Sequence, residues 1–488
     1  MSRVTRRSVI VAGASGIGLA AMPFPVWFEK YAAAQTTLTR YSAASTQGAA
    51  MIAQYATAVQ AMMGAKSSDP TSWIWQWYTH WTPTPPGKAG AINTIFGGAG
   101  NAVAQAMWNT CQPHGSGMNP DNFLPWHRMY VYYFERIVRK ITGNPAWTLP
   151  YWDYTNPTLQ ALPQPFISPG NTSNPLYRPN RNATSNNGQA ITTDYGGPNT
   201  LNLDSMRQSN YSGNTGFCNQ LNNGLHGNVH GMTGNGQGMG SVPTAAGDPI
   251  FWLHHCNIDR VWASWNNAGG SNPTSATWQA QTFTFVDENG VQVTAMVKDF
   301  LSIVPLNYTY DVFLTPPGAQ VAAAGSSARF SAAAVKTVGT SESGVRLGGA
   351  PARVALADRA PTADKSKSLM SAIQRETYLQ LDGVKAATQP EVLYNVYLDL
   401  PPGATPSTDS PHYVGTLNFF SAVPHADGHT GHGPADPGAT VVFNVTEQIA
   451  ALRQRNLASD NPVVTLVPSG DPAKGSDPRI DRVQLVTG

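Results

Sequence analysis

Charged side chains are scarce in this chain of 488 residues: Asp, Glu, Lys and Arg make up 12% of it, and the formal net charge is +2. Proteins that bind nucleic acids usually carry a strongly basic surface or runs of Lys and Arg, and the sequence has no such run. A nucleic-acid partner is therefore not expected. After residue 34 the chain also lacks an apolar run of the roughly 20 residues that span a bilayer, which argues against a membrane-spanning helix.

Cysteine is equally rare, with Cys111, Cys218 and Cys256 as the three examples. An odd count excludes a framework in which every cysteine is paired. The sequence leaves two states of Cys111 open, a disulfide with Cys218 in an oxidising compartment or a free thiol.

Residues 1–34 have the features of a signal peptide. Arg6 and Arg7 precede an uncharged stretch through Trp27, and Ala32–Ala34 offers the small residues of a cleavage site. This order is typical of a twin-arginine signal, which exports proteins already folded and so suits a cofactor loaded in the cytoplasm. We expect a periplasmic or secreted protein without a stable membrane anchor, because the apolar stretch is short and interrupted by Gly and Pro.

The spacing of apolar residues changes along the chain and predicts its domains. Residues 35–270 show helical periodicity between long loops, which predicts a mainly α-helical domain. Residues 271–315 form an attached segment in which Thr282–Val297 alternates as a β-hairpin does. Residues 316–367 are rich in Ala, Ser and Gly and predict a flexible linker. Residues 368–488 contain recurrent short β-type runs, which predict an all-β sandwich domain.

Histidines are the candidate metal-binding residues, and seven of the eleven precede residue 256. A single histidine on an apolar helix is usually a hydrogen-bonded core residue, so metal binding is argued from the joint pattern. Two sets of three imidazoles without a thiolate or carboxylate suit copper, with zinc as the alternative. The first group is His80, His114 and His127, and the second is His226, His230, His254 and His255.

The second group also has the spacing that metal ligation requires. His226 and His230 are four residues apart and share one face of a predicted helix. A helix that begins at Pro249 places Asp259 one turn after His255. A ligating imidazole usually donates its other N–H to a carboxylate or carbonyl, so Asp259 is expected to accept a hydrogen bond from His255.

Three segments resemble the tyrosinase and polyphenol oxidase family. FLPWHRMYVYYFE (Phe123–Glu135) and DPIFWLHHCNID (Asp248–Asp259) are similar to its two copper-site signatures, and LPYWDY (Leu149–Tyr154) between them is also typical of it. Thr277–Asp311 and Ser368–Gly488 resemble the middle and C-terminal segments of plant polyphenol oxidases.

The resemblance implies a four-helix bundle that holds two copper ions, which cycle between Cu(I) and Cu(II). It makes His254 a neighbour of the second ion rather than a ligand. Cys111 lies three residues before His114, which leaves a thioether between them open. The resemblance assigns one copper to His80, His114 and His127, and the other to His226, His230 and His255.

The resemblance further implies oxidation of o-diphenols (catechols) to o-quinones with O2. Many hydroxylating relatives carry a glutamate shortly before the position of His226, whereas here no Glu occurs between Glu135 and Glu288 and Asn222 lies in that region. Monophenol hydroxylation is therefore expected to be weak or absent. An o-aminophenol oxidase and a haemocyanin-like O2 carrier are the alternatives.

Two further expectations concern access to the copper site. The stretch Met239–Val242 is expected to border the substrate entrance, and the C-terminal β domain is expected to cover the site until the linker is cut. The partners implied are a phenolic small molecule and O2, while the sequence leaves the oligomeric state open.

Overall fold

A computed structural model describes most of the chain, in six ranges. The predicted signal peptide, His114, and the C-terminal histidines His425, His429 and His432 lie outside them. The described residues are 37–113, 118–318, 336–358, 376–424, 438–459 and 461–487.

Helices dominate the described residues before position 280. Ser45 and Ser72 cap the first two helices, because their hydroxyls accept hydrogen bonds from the backbone N–H groups of Gly48 and Trp75. Within the described ranges, no helix is both long and apolar enough to span a membrane. The helices are α1 (Thr46–Gly64), α2 (Trp73–His80), α3 (Gly87–Phe96), α4 (Ala102–Met107), α5 (Phe123–Thr142), α6 (Ala183–Asn186), α7 (Phe217–Leu221), α8 (Gly227–Thr233), α9 (Val242–Ala245), α10 (Ile250–Asn267) and α11 (Ala276–Gln279).

Helices α5 and α10 form the centre of this helical part, and nearly every side chain from Ile250 to Trp265 is buried. Phe134 of α5 stacks on Trp252 of α10 with ring centroids 3.4 Å apart. Tyr55 of α1 packs edge-on against Phe134 at 6.2 Å. Each buried aromatic side chain removes roughly 150–250 Å² from water, so these contacts fix how the two central helices lie against each other.

The predicted hairpin is confirmed. Strands β2 (Thr282–Val286) and β3 (Gln292–Met296) pair antiparallel, and Gly290 in their turn has a φ of +73°, which glycine adopts without steric cost. Phe285 packs against the helical part, with its ring 5.7 Å from that of Trp126. Strand β1 (Leu38–Arg40), which precedes α1, pairs parallel with strand β4 (Tyr308–Tyr310), which follows the hairpin.

The C-terminal part consists of strands and one helix, as predicted in outline. The elements are β5 (Lys336–Thr340), β6 (Val345–Arg346), β7 (Ala352–Ala355), β8 (Ala357–Asp358), β9 (Thr377–Val384), β10 (Tyr394–Leu398), β11 (Tyr413–Leu417), β12 (Ala439–Asn444), α12 (Thr446–Gln454), β13 (Val463–Pro468), β14 (Arg479–Ile480) and β15 (Arg482–Thr487).

These strands form two larger sheets and one pair. One sheet has the order β12-β9-β15-β5-β8, a second has the order β11-β10-β13-β7, and β14 pairs with β6. Leu381 and Val483 from the first sheet and Val396 and Leu466 from the second belong to one apolar cluster.

The prediction of a linker over 316–367 is wrong for residues 336–358. Strand β5 pairs with β15 and strand β7 pairs with β13, so this segment completes both sheets. Its Ala, Gly and Ser residues concealed the strands, because only a few large apolar side chains, such as Val338 and Leu356, are buried. Residues 319–335 and 359–375 of the predicted linker lie outside the described ranges.

A buried group of charges links β1, α5 and α10. Asp259 Oδ1 accepts a hydrogen bond from Arg128 Nε at 2.5 Å, and its Oδ2 accepts one from Arg40 Nη1 at 3.0 Å. The hydroxyls of Tyr308 and Tyr310 also donate to Oδ2. Burial alone would raise the pKa of Asp259, but the two guanidinium groups bring that pKa below its ordinary value.

The predicted hydrogen bond from His255 to Asp259 is therefore wrong. The carboxylate is occupied by stronger, charged donors from β1 and α5. Neither ring nitrogen of His255 has a hydrogen-bond partner among the residues that the structure describes. Asp259 instead holds the helices that frame the histidines.

We predict that Asp259→Asn lowers the free energy of unfolding by about 3–5 kcal/mol, because it leaves two buried guanidinium groups with too little negative charge. The matched control is Glu288→Gln, which removes an ion pair to Arg136 whose side chains are both 30% exposed and which should cost about 1 kcal/mol or less. Urea unfolding of the full-length protein measures both. Equal, small losses in the two variants would contradict a structural role for Asp259.

Candidate metal centre

The first histidine cluster joins the end of α2 to the first turns of α5. His80 Nδ1 donates to the carbonyl of Val242 at 3.1 Å, and His127 Nδ1 donates to that of Phe123 at 2.8 Å. His80, Cys111 and His127 bring their ligand atoms within 4.8 Å of one another. His114, the third ligand implied by the resemblance, lies outside the described residues.

The second cluster contains four buried histidines from two segments. His226 ends a π-helical turn that begins at Asn222, and such turns occur frequently at functional sites. His230 follows in α8, and α10 supplies His254 and His255. The ligand atoms of these four histidines lie within 4.8 Å of one another.

Backbone carbonyls orient the two rings on the first of these segments. His226 Nδ1 donates to the carbonyl of Asn222 at 3.2 Å, and His230 Nδ1 donates to that of Met239 at 2.7 Å. A ring that donates from Nδ1 directs its other nitrogen, Nε2, toward the cluster. This is the arrangement in which metal-binding histidines are usually held.

The distance between these two rings fits a shared metal ion. His226 Nε2 and His230 Nε2 lie 3.1 Å apart. Because each Nδ1 carries the ring hydrogen toward a carbonyl, two nitrogen lone pairs face each other in the neutral rings. Nitrogens that each lie about 2 Å from one metal ion lie roughly 3 Å from each other, so a cation between them relieves the repulsion.

The two clusters adjoin each other between α5 and α10. The rings of His127 and His255 stack with centroids 4.3 Å apart and an interplanar angle of 9°. Phe251 contacts both clusters, since its ring lies 5.0 Å from His80 and 4.2 Å from His255. The site is thus a buried, aromatic-walled pair of imidazole clusters.

Burial favours the uncharged form of His127, His254 and His255. It lowers the pKa of His127 to about 3, against the hydrogen bond to Phe123 that raises it. Burial and the neighbouring imidazoles also lower the pKa values of His254 and His255 well below the ordinary range. Burial raises the pKa of the Cys111 thiol, so the protonated thiol is a weak ligand. An imidazole donor set without a thiolate suits copper.

The structure brings together five of the six histidines that the resemblance implies as ligands. Their role as ligands stays a prediction. The five are His80, His127, His226, His230 and His255.

Asn222 and Cys111 lie close to this site, and Cys218 contacts the loop before α5. The carbonyl of Asn222 orients His226, while its side-chain Oδ1 is buried without a hydrogen-bond partner among the described residues. Cys111 Sγ lies 3.5 Å from His127 Nε2, and Cys218 Sγ lies 3.5 Å from the carbonyl of Pro120. All three cysteines of the chain are unpaired, so the structure contains no disulfide between Cys111 and Cys218.

The stretch Met239–Val242 lies against the histidines, and its predicted place at the border of the substrate entrance stays a prediction. Met239 and Val242 are both fully buried, and their carbonyls orient His230 and His80. Gly240 in this stretch lets the backbone pass close to Gly234, because a side chain at Gly240 would collide with the carbonyl of Gly234.

Sequence reasoning missed a residue from the C-terminal part that reaches the second cluster. The ring of Phe420 stacks on that of His230 with centroids 3.9 Å apart and an angle of 10°, and it meets His226 edge-on at 5.4 Å. No spacing or motif in the sequence relates Phe420 to the histidines, because the contact depends on how the two parts of the chain meet.

Comparison with known proteins gives the same division of the chain. Residues 70–213 and 163–268 match the common central domain of tyrosinase, and residues 334–488 match a domain of unknown function, DUF7868. A tyrosinase of Hahella sp. (strain CCB-MM4) is 31% identical over 469 residues, which cover 88% of this chain and 95% of that protein. A chloroplastic polyphenol oxidase of Malus domestica is 27% identical over 71% of this chain and 64% of its own length.

Solved structures share the fold over nearly the whole chain. A latent aurone synthase (polyphenol oxidase) aligns with a TM-score of 0.62 at 22% identity, over 93% of this chain and 90% of its own. A latent apple tyrosinase aligns with a TM-score of 0.61 at 22% identity, over 93% and 98%. The helical core followed by a C-terminal sheet region is therefore the fold of these oxidases.

We predict that the copper-free protein loses stability as the pH falls from 7 to 5. The unfolded chain protonates His127 near its ordinary pKa of 6.5, whereas the folded protein holds that pKa at about 3, so acid favours the unfolded state. His127→Gln should remove roughly 1–2 kcal/mol of this pH dependence. Urea unfolding of both proteins at pH 7 and pH 5 measures this change in the free energy of unfolding. The same pH dependence in the variant as in the wild type would show that burial does not lower the pKa of His127.

Proposed function

This chain belongs to the tyrosinase and polyphenol oxidase family of type 3 copper oxidoreductases, and we propose that it oxidises o-diphenols to o-quinones with O2. The observation that carries this proposal is the meeting of two imidazole clusters between α5 and α10. Members of the family act on phenolic substrates with O2, and one catechol releases two electrons and two protons on becoming a quinone.

We propose two copper sites in this chain. When bound, the copper ions supply the redox chemistry that passes electrons from the catechol to O2. The protein favours the neutral form of His127 and His255 by burial, fixes four of the imidazoles through Nδ1 hydrogen bonds and encloses the site with aromatic walls. The proposed ligands are His80, His114 and His127 for one ion, and His226, His230 and His255 for the other.

The proposed activity is oxidation of o-diphenols with weak or absent hydroxylation of monophenols. Hydroxylation of a monophenol requires a group that takes up the proton of the incoming phenol. Asn222, which lies near His226, has an amide side chain, and an amide does not take up a proton near neutral pH. No glutamate occurs between Glu135 and Glu288. An o-aminophenol has the same adjacent donor atoms as a catechol, so an o-aminophenol oxidase remains the second candidate substrate class.

Oxygen uptake with catechol tests the proposed function. We expect the copper-loaded full-length protein, with and without limited proteolysis, to consume about one O2 for every two catechols while the visible absorption of the quinone rises. His255→Ala should lower the rate by more than roughly 100-fold, because losing a ligand costs more than the 10–100-fold typical of its outer partners. His412→Ala, a buried histidine bound to the Leu398 carbonyl, is the control.

Two outcomes of this assay decide against the proposal. Reversible O2 binding without quinone formation would indicate a haemocyanin-like carrier. Turnover of o-aminophenol but not of catechol would favour the alternative substrate class.

We further propose that the C-terminal part covers the second copper site until it is displaced. Phe420 lies against His230 and His226. The neighbouring Asn418 Nδ2 donates to the Asn223 carbonyl and to Asn228 Oδ1, both at 2.8 Å. These contacts flank His226 on both sides and place the aromatic ring where a planar substrate would approach.

Much of the remaining contact between the two parts is polar, which favours a removable cover. Asn395 Nδ2 donates to the Tyr195 carbonyl at 3.0 Å, and Arg207 pairs with Glu447, whose side chain is 71% exposed. Exposed ion pairs contribute little stability. Cleavage of the predicted linker before β5, at residues 319–335, would then leave few apolar contacts to hold the cover in place.

We predict that Phe420→Ala in the uncut protein raises the rate of catechol oxidation by about two- to tenfold, since an aromatic pair contributes about 0.5–1.5 kcal/mol. Phe419→Ala is the matched control, because the adjacent Phe419 packs on Tyr394 inside the C-terminal apolar cluster. Steady-state kinetics of both variants measure the effect. Equal activation would indicate general loosening of the C-terminal part, and no activation by Phe420→Ala would refute a local cover.

Two expectations about the fold and one about export complete the proposal. We propose that α2, α5, α8 and α10, which carry or flank the histidines, form a four-helix bundle. We propose that the two larger C-terminal sheets pack as a β-sandwich around their common apolar cluster. Export by the twin-arginine route, to the periplasm or the outside, is proposed from the sequence of residues 1–34.

A further inference from the structure

His254 has the environment of a metal ligand, although the family resemblance makes it only a neighbour. Its Nδ1 lies 2.8 Å from the hydroxyl of Tyr154, and a hydroxyl oxygen can accept a hydrogen bond as well as donate one. In the tautomer with the ring hydrogen on Nδ1, which Tyr154 can accept, Nε2 offers its lone pair to a metal ion. His254 is fully buried, and its Nε2 has no hydrogen-bond partner among the residues that the structure describes.

His254 belongs to the second histidine cluster. The ring centroid of His254 lies 4.7 Å from that of His230, 5.3 Å from that of His226 and 4.9 Å from that of His255. One nitrogen from each of the four rings lies within 4.8 Å of the others. A buried polar atom left without a partner is unfavourable, and a metal ion at this position would supply the partner.

His254 and the adjacent His255 on α10 differ in the hydrogen bonding of Nδ1. Nδ1 of His226 and of His230 is held by a carbonyl, and Nδ1 of His254 is held by a hydroxyl. His255 has no hydrogen bond at either nitrogen within the described ranges. By the arrangement usual for metal-binding histidines, His254 is therefore prepared for an ion at least as well as His255.

We propose that His254 Nε2 is a copper ligand when the protein holds a single copper ion. In that state, the imidazoles of His226, His230, His254 and His255 bind the ion at the second site. This inference rests on the proposed second copper site. When the first site is also filled, three imidazoles hold each ion and His254 is the one that is released. Its role is to retain copper at the second site during loading.

The number of imidazoles on a single copper ion tests this inference. In full-length His80→Ala/His127→Ala, two of the three proposed first-site ligands are removed, so one equivalent of Cu(II) occupies the second site. Pulsed EPR should count four imidazoles on this ion, and three after addition of His254→Phe, which keeps an aromatic ring at that position. Three imidazoles with His254 still present would overturn the inference.

A second measurement avoids dependence on the folding of that multiple variant. Competition between a Cu(I) chelator and the otherwise unchanged chain, with less than one equivalent of Cu(I) per chain, should show affinity about 10-fold weaker in Tyr154→Phe, which only removes the hydroxyl that holds the ring. His254→Phe should weaken it further, and His412→Phe should not change it. Unchanged affinity in both Tyr154→Phe and His254→Phe would refute a ligand role.

The wild-type copper content separates this inference from the proposed function. If the wild-type chain binds two copper ions but His254→Phe leaves single-ion binding unchanged, only the inference on His254 fails. If the wild-type chain cannot bind copper at its second site, the proposed function fails with it.

Discussion

The contact between α5 and α10 is the constraint on which the rest of the structure depends. Phe134 and Trp252 stack at the centre of this contact, and the Asp259 carboxylate joins α10 to α5 and β1 through two buried guanidinium groups. With the helices fixed in this way, His127 and His255 stack at 4.3 Å. Two imidazole clusters from distant parts of the chain thereby become one site.

Sequence reasoning predicted which residues lie at this site better than it predicted the hydrogen bonds that these residues make. The histidine spacing and the two signatures predicted which histidines converge, because these residues lie on helices with clear apolar periodicity. The role of Asp259 was mispredicted, because helical spacing shows which residues share a face but not which donors other elements bring. The strands at 336–358 were missed because small residues fill most of their length.

The contact between the two parts of the chain was beyond prediction in detail. The β domain was expected to cover the site, but no local pattern identifies Phe420 as the residue that stacks on His230. Asn418 and Phe420 are two residues apart and act at the same place, one on the backbone beside His226 and the other on the rings. If the C-terminal part is the cover proposed above, its displacement and access to the proposed metal site are one event.

The central claim is that imidazole nitrogens alone hold two copper ions in the buried centre between α5 and α10. Copper analysis combined with X-ray absorption spectroscopy of the full-length, copper-loaded protein tests it most directly. We expect two copper ions per chain with nitrogen and oxygen neighbours and no sulfur, because every proposed ligand is an imidazole. A single copper ion per chain, or a sulfur neighbour on copper, would contradict it.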